Sequence, residues 1–157
     1  MATKTVINPD LGTGFKYFEG SGVNELIHSA GVVVDTSEVT FVSCSGKTAT
    51  NDQGETVEER DTIVGVGDIK EQTSQVLRNL QGTLRAAGAT FDDVVRMRVF
   101  VTQPFTDLDF GKVHEARAPF FNKEHYPAST LVIVYALARP DALIEIDCDA
   151  AILKNGG

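Results

Sequence analysis

The first part of the chain alternates between short β-type runs and polar, turn-rich stretches. Two runs of β-branched and aromatic residues, at 32–34 and 39–43, predict a pair of neighbouring strands. The polar stretch 46–66 that follows them predicts a long loop. Residues 1–29 predict an arm that packs on the domain or on a neighbour, which leaves one domain at 30–157.

A long amphipathic helix is predicted over 68–87, where apolar residues recur at helical spacing. Asp68, with Glu71 three positions later, is typical of a capping box at a helix start. Gly88 follows the last periodic position and predicts the end of the helix.

The second half of the chain predicts a strand, a helix and a terminal hairpin. The strand 94–101 alternates, and its predicted inward side chains are Val95, Met97, Val99 and Val101. A helix should begin near Thr106, and Pro119 should kink or end it because proline lacks a backbone donor. Strands at 130–137 and 143–153, joined by a turn, complete the predicted hairpin.

The strand at 130–137 is apolar on both of its faces, which is typical of a strand covered on both sides. Two helices can cover only one face of a sheet. Another copy of the chain is the simplest cover for the other face, so the pattern predicts an obligate homo-oligomer.

Composition and charge narrow the class of protein. The formal net charge is −8, which counts against a nucleic acid or an anionic membrane as the main partner. The sequence has no long apolar run, and the polar N-terminus lacks a signal-peptide core, so a cytoplasmic protein is expected. Cys44 and Cys148 lack the spacing of a zinc site, and the three histidines do not indicate a metal site.

Several segments resemble, in the right order, the RidA (YjgF) family of enamine/imine deaminases. They are Phe41–Cys44, Gln75–Leu80, Ala87–Val95, Val99–Val101 with Asp109–Phe110, Tyr126–Thr130 and Ala142–Ile146. The resemblance implies an α+β, chorismate-mutase-like subunit, with a mixed sheet and two helices on one face. It also implies a homotrimer with clefts between subunits, and hydrolysis by water attack at a C=N carbon without metal or cofactor.

The resemblance also assigns candidate roles to individual residues. Glu145 matches the family glutamate that helps place the attacking water, and His114 matches an asparagine that lines the cleft. Ser129 stands where the deaminases carry the arginine that holds the substrate carboxylate. A hydroxyl cannot replace a guanidinium fork, so Arg98 and Arg117 are the candidates for that task. We expect Glu145 and His114 to act together as the catalytic pair.

Structural interpretations stand beside these functional ones. Arg98 could pair with carboxylates of the last strand, and Glu145 could belong to a solvated acidic face. Cys44, which matches a cleft-lining glycine, could be either a pocket wall or a buried thiol. Leu131 matches a cleft-lining cysteine of the family and is expected to bind substrate.

The sequence therefore favours a hydrolytic deaminase or lyase that acts on a C–N or C=N bond of a small catabolic intermediate. Divergent family members act in aromatic degradation, as aminomuconate deaminases and hydroxylaminobenzoate lyases. The alternatives are a non-catalytic trimer that binds a small ligand, and a structural or chaperone-like trimer.

Overall fold

A computed structural model describes residues 3–7 and 31–154 of the chain. Six strands are present: β1 Thr3–Ile7, β2 Gly31–Asp35, β3 Val39–Lys47, β4 Val94–Thr102, β5 Ala128–Val134 and β6 Ile144–Leu153. The α-helices are α1 Val57–Arg60, α2 Ile69–Ala86 and α3 Asp107–Arg117.

The strands form one mixed sheet in the order β1-β2-β3-β6-β4-β5, in which β4 and β5 run parallel and the other neighbours antiparallel. The predicted terminal hairpin is wrong, because β4 lies between β5 and β6. Helix α3 connects β4 to β5 as a crossover, and a crossover makes the two strands parallel. β6 instead pairs with β3 and β4, where its alternate side chains are buried.

Both predicted helices are confirmed, together with their ends. The Asp68 side chain accepts hydrogen bonds from the backbone N–H groups of Lys70 and Glu71, which caps α2. Gly88 has a φ of 78°, and the N–H of Ala89 closes the end of the helix on the carbonyl of Leu84.

Helix α3 begins as the sequence predicted. Thr106 and Asp109 form a capping box at its start. The helix ends at Arg117, and a 3₁₀ turn over 118–120 contains Pro119. The proline therefore ends the helix.

The hydrophobic core lies between the sheet and the two long helices, all on one side of the sheet. Its fully buried members include Leu77 and Leu80 of α2, Val113 of α3, and Ile144 and Ile146 of β6. This confirms the α+β class and the mixed sheet with two helices on one face. We call the other side of the sheet the open face, because none of the described helices packs against it.

One predicted inward residue is wrong. Val95 is 51% exposed, whereas Val94 beside it is 3% exposed. The pairing of β4 with β6 shifts register between Val94 and Arg96, so Val95 is the extra residue of a β-bulge. From Met97 onward the predicted alternation holds, since Met97, Val99 and Val101 are fully buried.

The predicted loop at 46–66 begins later than expected, since β3 continues to Lys47. Part of the segment is ordered by α1 and by a bridge between Thr50 and Ile63. The buried amide of Asn79 on α2 donates to the carbonyls of Thr48 and Thr50. These hydrogen bonds hold the chain just beyond β3 against the helix.

At the N-terminus, β1 pairs antiparallel with β2 and extends the sheet by one edge strand. The rest of the predicted arm, residues 1–2 and 8–29, lies outside the described residues. In the described ranges, no helix is long and apolar enough to cross a membrane.

Candidate functional site

Glu145 lies on the open face of the sheet. Its partner across β4 is Phe100, and its neighbours Ile144 and Ile146 point into the core on the opposite side. Burial and, to a smaller extent, the charge of Asp147 raise the pKa of Glu145 above its ordinary value. A carboxyl group with a raised pKa is suited to accept a proton near neutral pH.

Gly46 leaves the space that the Glu145 carboxyl group occupies. A Cβ atom at position 46 would stand 2.1 Å from Oε1 of Glu145 and 3.0 Å from its Cδ. The pairing of β3 with β6 is irregular between Cys44 and Lys47, so Gly46 lies in a distorted part of the strand. The sequence analysis missed this residue, although a glycine next to a β-type run indicates a bulge or a close approach.

Arg98 is engaged by the acidic residues of β6. Its Nε lies 2.5 Å from Asp147 and its Nη1 lies 2.8 Å from Asp149. The hydrogen bond to Asp149 raises the pKa of Arg98, against the effect of burial. The geometry therefore favours the structural interpretation of Arg98, a cross-strand ion pair that organises the open face.

Arg117 and Ser129 meet on the side of the sheet that carries the helices. Nη2 of Arg117 lies 3.4 Å from Oγ of Ser129 and 3.5 Å from Sδ of Met97. The guanidinium also lies 5.8 Å from the ring centre of Phe121. Burial lowers the pKa of Arg117 below its ordinary value, although an arginine stays charged at neutral pH.

His114 lies one turn before Arg117 on α3 and is exposed. Its Nδ1 is 3.1 Å from the carbonyl oxygen of Phe110, and the two rings lie 4.2 Å apart. The remaining ring nitrogen is available to a ligand or to a partner.

The candidate residues divide into two groups on opposite faces of the sheet. Ser129 is paired with Met97, whose side chain is in the core, whereas Glu145 is paired with Phe100 on the open face. Within one chain, Glu145 therefore does not meet Ser129 or the α3 residues His114 and Arg117. The expected joint action of Glu145 and His114 requires a second copy of the chain.

Cys44 is buried at 5% exposure and lies directly opposite Cys148 on β6. The two free thiols are within hydrogen-bonding contact. This position favours the buried-thiol interpretation of Cys44 over a pocket wall. Leu131 is half-buried and follows Ser129 on the same face of β5.

The part of the chain that the structure describes contains no group of three or more His, Cys, Asp or Glu side chains that could hold a metal ion. The acidic row of β6 is instead neutralised in part by Arg98. The candidate chemistry of the described residues is therefore acid–base chemistry by a carboxyl group and an imidazole, with a guanidinium for charge.

Comparisons with known proteins agree with this fold. The profile of the endoribonuclease L-PSP family matches residues 17–152. A RutC family protein of Pyrococcus horikoshii is 42% identical over 85 residues, which are 54% of this chain and 63% of that protein. Protein DfrA of Myxococcus xanthus is 34% identical over 125 residues, 78% of this chain and 83% of its own.

A solved structure shows the same architecture. The YjgF/YER057c/UK114 family member of Mycobacterium tuberculosis superposes with a TM-score of 0.63 at 29% identity. The superposition covers 96% of this chain and 100% of that one. The chain spans less than two thirds of the length of the Pyrococcus relative, so the match to that protein concerns the segment they share.

Proposed function

The chain belongs to the endoribonuclease L-PSP family, which includes the YjgF and RidA proteins, and we propose that it is a hydrolytic deaminase or lyase. Its substrate is a small catabolic intermediate with a C–N or C=N bond. Intermediates of aromatic nitrogen-compound degradation, of the aminomuconate or hydroxylaminobenzoate type, are the substrates to test first. The proposed reaction uses no metal.

The environment of Glu145 carries this proposal. No hydrogen bond or ion pair joins its carboxyl group to another of the described side chains, while Arg98 pairs with Asp147 and Asp149 beside it. Burial raises its pKa, and Gly46 leaves it room at the surface of the open face. A structural carboxylate is normally paired, so an unpaired and half-buried one favours a role in proton transfer.

The proposed chemistry follows from this arrangement. Glu145 takes a proton from a water molecule, whose oxygen forms a bond to the C=N carbon. The resulting carbinolamine expels its nitrogen as ammonia after that nitrogen is protonated, and the carbonyl product remains. An imine and one water thus give a carbonyl compound and ammonia, without change of oxidation state.

The proposal includes a homotrimer, because the two groups of candidate residues face opposite sides of the sheet. An interface between unlike surfaces, repeated around a closed ring, would place the β5 edge and α3 of one copy against the open face of the next. Such a ring brings His114 of one copy toward Glu145 of another. His114 would then bind substrate or protonate the leaving nitrogen.

Both surfaces have the apolar character that this assembly needs. On the open face Phe41 is 52% exposed, and along the β5 edge Val132 and Ile133 are 44% and 48% exposed. Exposed apolar side chains on two sides of one sheet are typical of a subunit interface.

A Glu145→Gln variant tests the proposed base. It should lower turnover by about 10²–10⁴-fold, the usual effect of losing one general acid–base group. The substrates are imines released by serine or threonine dehydration, a 2-aminomuconate and a hydroxylaminobenzoate. Glu38→Gln, which changes an exposed glutamate between β2 and β3, is the matched control and should stay active. Equal turnover by folded Glu145→Gln and wild-type protein would contradict the proposal.

The second candidate is a trimer that binds a small ligand without turning it over. It is favoured by Ser129, which stands where the family deaminases have their substrate arginine. Saturable ligand binding without ammonia release, from every substrate in the panel, would select it. The net charge of −8 counts against an RNA substrate, whatever name the family profile carries.

A further inference from the structure

Arg117 is a half-buried cation without an anionic partner among the described residues. It forms no ion pair with their carboxylates, whereas Arg98 and Arg139 each pair with at least one. Removing a guanidinium from water costs free energy unless an opposite charge or several hydrogen bonds replace the water. The contacts of Arg117 are weak acceptors: the Ser129 hydroxyl, the Met97 sulfur and the Phe121 ring.

The geometry around this cation is that of a small open subsite. Ser129 is exposed on β5, which is the edge strand of the sheet, and its hydroxyl lies 3.4 Å from Nη2 of Arg117. The half-buried side chains of Leu131 and Phe121 supply apolar surface beside these two polar groups. Two convergent donors next to apolar walls are the usual composition of a site for a small anionic molecule.

We propose that Arg117 and Ser129 form a binding subsite for the carboxylate of a small monoanionic ligand. The guanidinium fork binds the two carboxylate oxygens, and the serine hydroxyl donates a further hydrogen bond. A single guanidinium in a chain of net charge −8 favours a monoanion over a phosphate or a dicarboxylate. The subsite deepens the proposed function and rests on it, because it specifies a carboxylate-bearing substrate.

A structural role for Arg117 makes a different prediction. The residue is in the last turn of α3, where a cation is favoured by the helix dipole. If that were its whole task, replacing it would change the stability of the protein and would not change its affinity for anions. Ligand affinity therefore separates the two roles.

The experiment titrates the full-length protein with sodium propionate and with propionamide, its neutral analogue, and follows binding by NMR or calorimetry. Wild-type protein should bind propionate and not propionamide. Arg117→Met keeps an unbranched side chain and should weaken propionate binding by about 10–100-fold, the range of a charge-assisted contact. Arg117→Lys should retain part of the affinity, because it keeps the charge and loses the fork.

Arg96→Met is the matched control. Arg96 is exposed and donates to Thr130, on the same edge of the sheet, and its replacement should leave propionate binding unchanged. Circular dichroism establishes that each variant is folded. Should Arg117→Met fail to fold, Arg117→Gln takes its place in the same titration.

Three results would overturn the subsite: no propionate binding by the wild type, equal binding by Arg117→Met, or equal loss in Arg96→Met. The result is independent of catalysis. Propionate binding that depends on Arg117, without turnover of any imine, would keep the subsite and reject the enzyme. Turnover with an unchanged KM in Arg117→Met would keep the enzyme and reject the subsite.

Discussion

The carboxyl group of Glu145 occupies the space where any residue other than glycine at position 46 would place its Cβ. The distance from that ideal Cβ to Oε1 of Glu145 is 2.1 Å, far inside van der Waals contact. Two adjacent strands, β3 and β6, thus determine together where the candidate base points.

Gly46→Ala should displace the Glu145 carboxyl group while the fold remains. The clash involves the flexible end of a side chain, so the carboxylate can rotate away at a cost that we expect to stay near 1 kcal/mol. Turnover should fall by about 10-fold or more, because a misplaced base loses its alignment with the water. Steady-state kinetics and a thermal melt measure the two effects.

Gly82→Ala is the control for that substitution. A Cβ at Gly82, inside α2, would have no neighbour within 4 Å. Alanine in a helix interior should stabilise the protein by roughly 0.5–1 kcal/mol and leave turnover unchanged. Equal activity in both alanine variants would show that the position of Glu145 does not limit the reaction.

The raised pKa of Glu145 predicts the direction of a pH profile. A base must be ionised, so kcat/KM should rise with pH through a pKa above the ordinary carboxyl value of 4.5. Burial is the main cause of the shift and Asp147 the second. Asp147→Asn should therefore move the acid limb of the profile to lower pH. A limb that moves upward or stays in place would show that another group titrates.

The same shift affects stability with the opposite sign to that of an ion-paired carboxylate. A carboxyl pKa that is higher in the folded state favours folding at low pH, and this contribution is lost as pH rises through the folded pKa. Glu145→Gln should remove that loss. The variant should gain stability relative to wild type as pH rises from below 4.5 to neutrality, as measured by urea unfolding.

Phe41→Glu tests the assembly. A charge in the middle of an apolar interface on the open face should dissociate the proposed homotrimer, which light scattering would detect. Leu108→Glu, at a 70% exposed position on α3, introduces the same charge and should leave the mass unchanged. A wild-type protein that is monomeric at micromolar concentration would reject the trimer.

Thiol alkylation tests the location of the cysteines. Cys44 and Cys148 are 5% and 0% exposed, and burial contributes to the raised pKa of Cys148, after its hydrogen bond with Cys44. Neither thiol should react with iodoacetamide in the native protein, and both should react in urea, as counted by mass spectrometry. Rapid native labelling of Cys44 would restore its interpretation as a pocket residue.

Features that depend on local spacing were predictable from the sequence. The cap at Asp68, the glycine at 88 and the start at Thr106 act within a few residues, and the structure has all three where expected. The sheet with helices on one face was also expected, from the family resemblance. Glu145 was identified in the same way, as a residue that matches a motif.

The order of the strands and the geometry of the site required the tertiary structure. The pairing of β6 with β4 instead of β5, the bulge that turns Val95 outward and the carboxyl group of Glu145 above Gly46 all join residues far apart in the chain. Alternation along one strand specifies which residues share a face, and says nothing about which strand lies next to it. Arg98 and Arg117 show the consequence. They were equal candidates for binding an anion until the sheet placed Asp147 and Asp149 beside Arg98 and left Arg117 next to a hydroxyl.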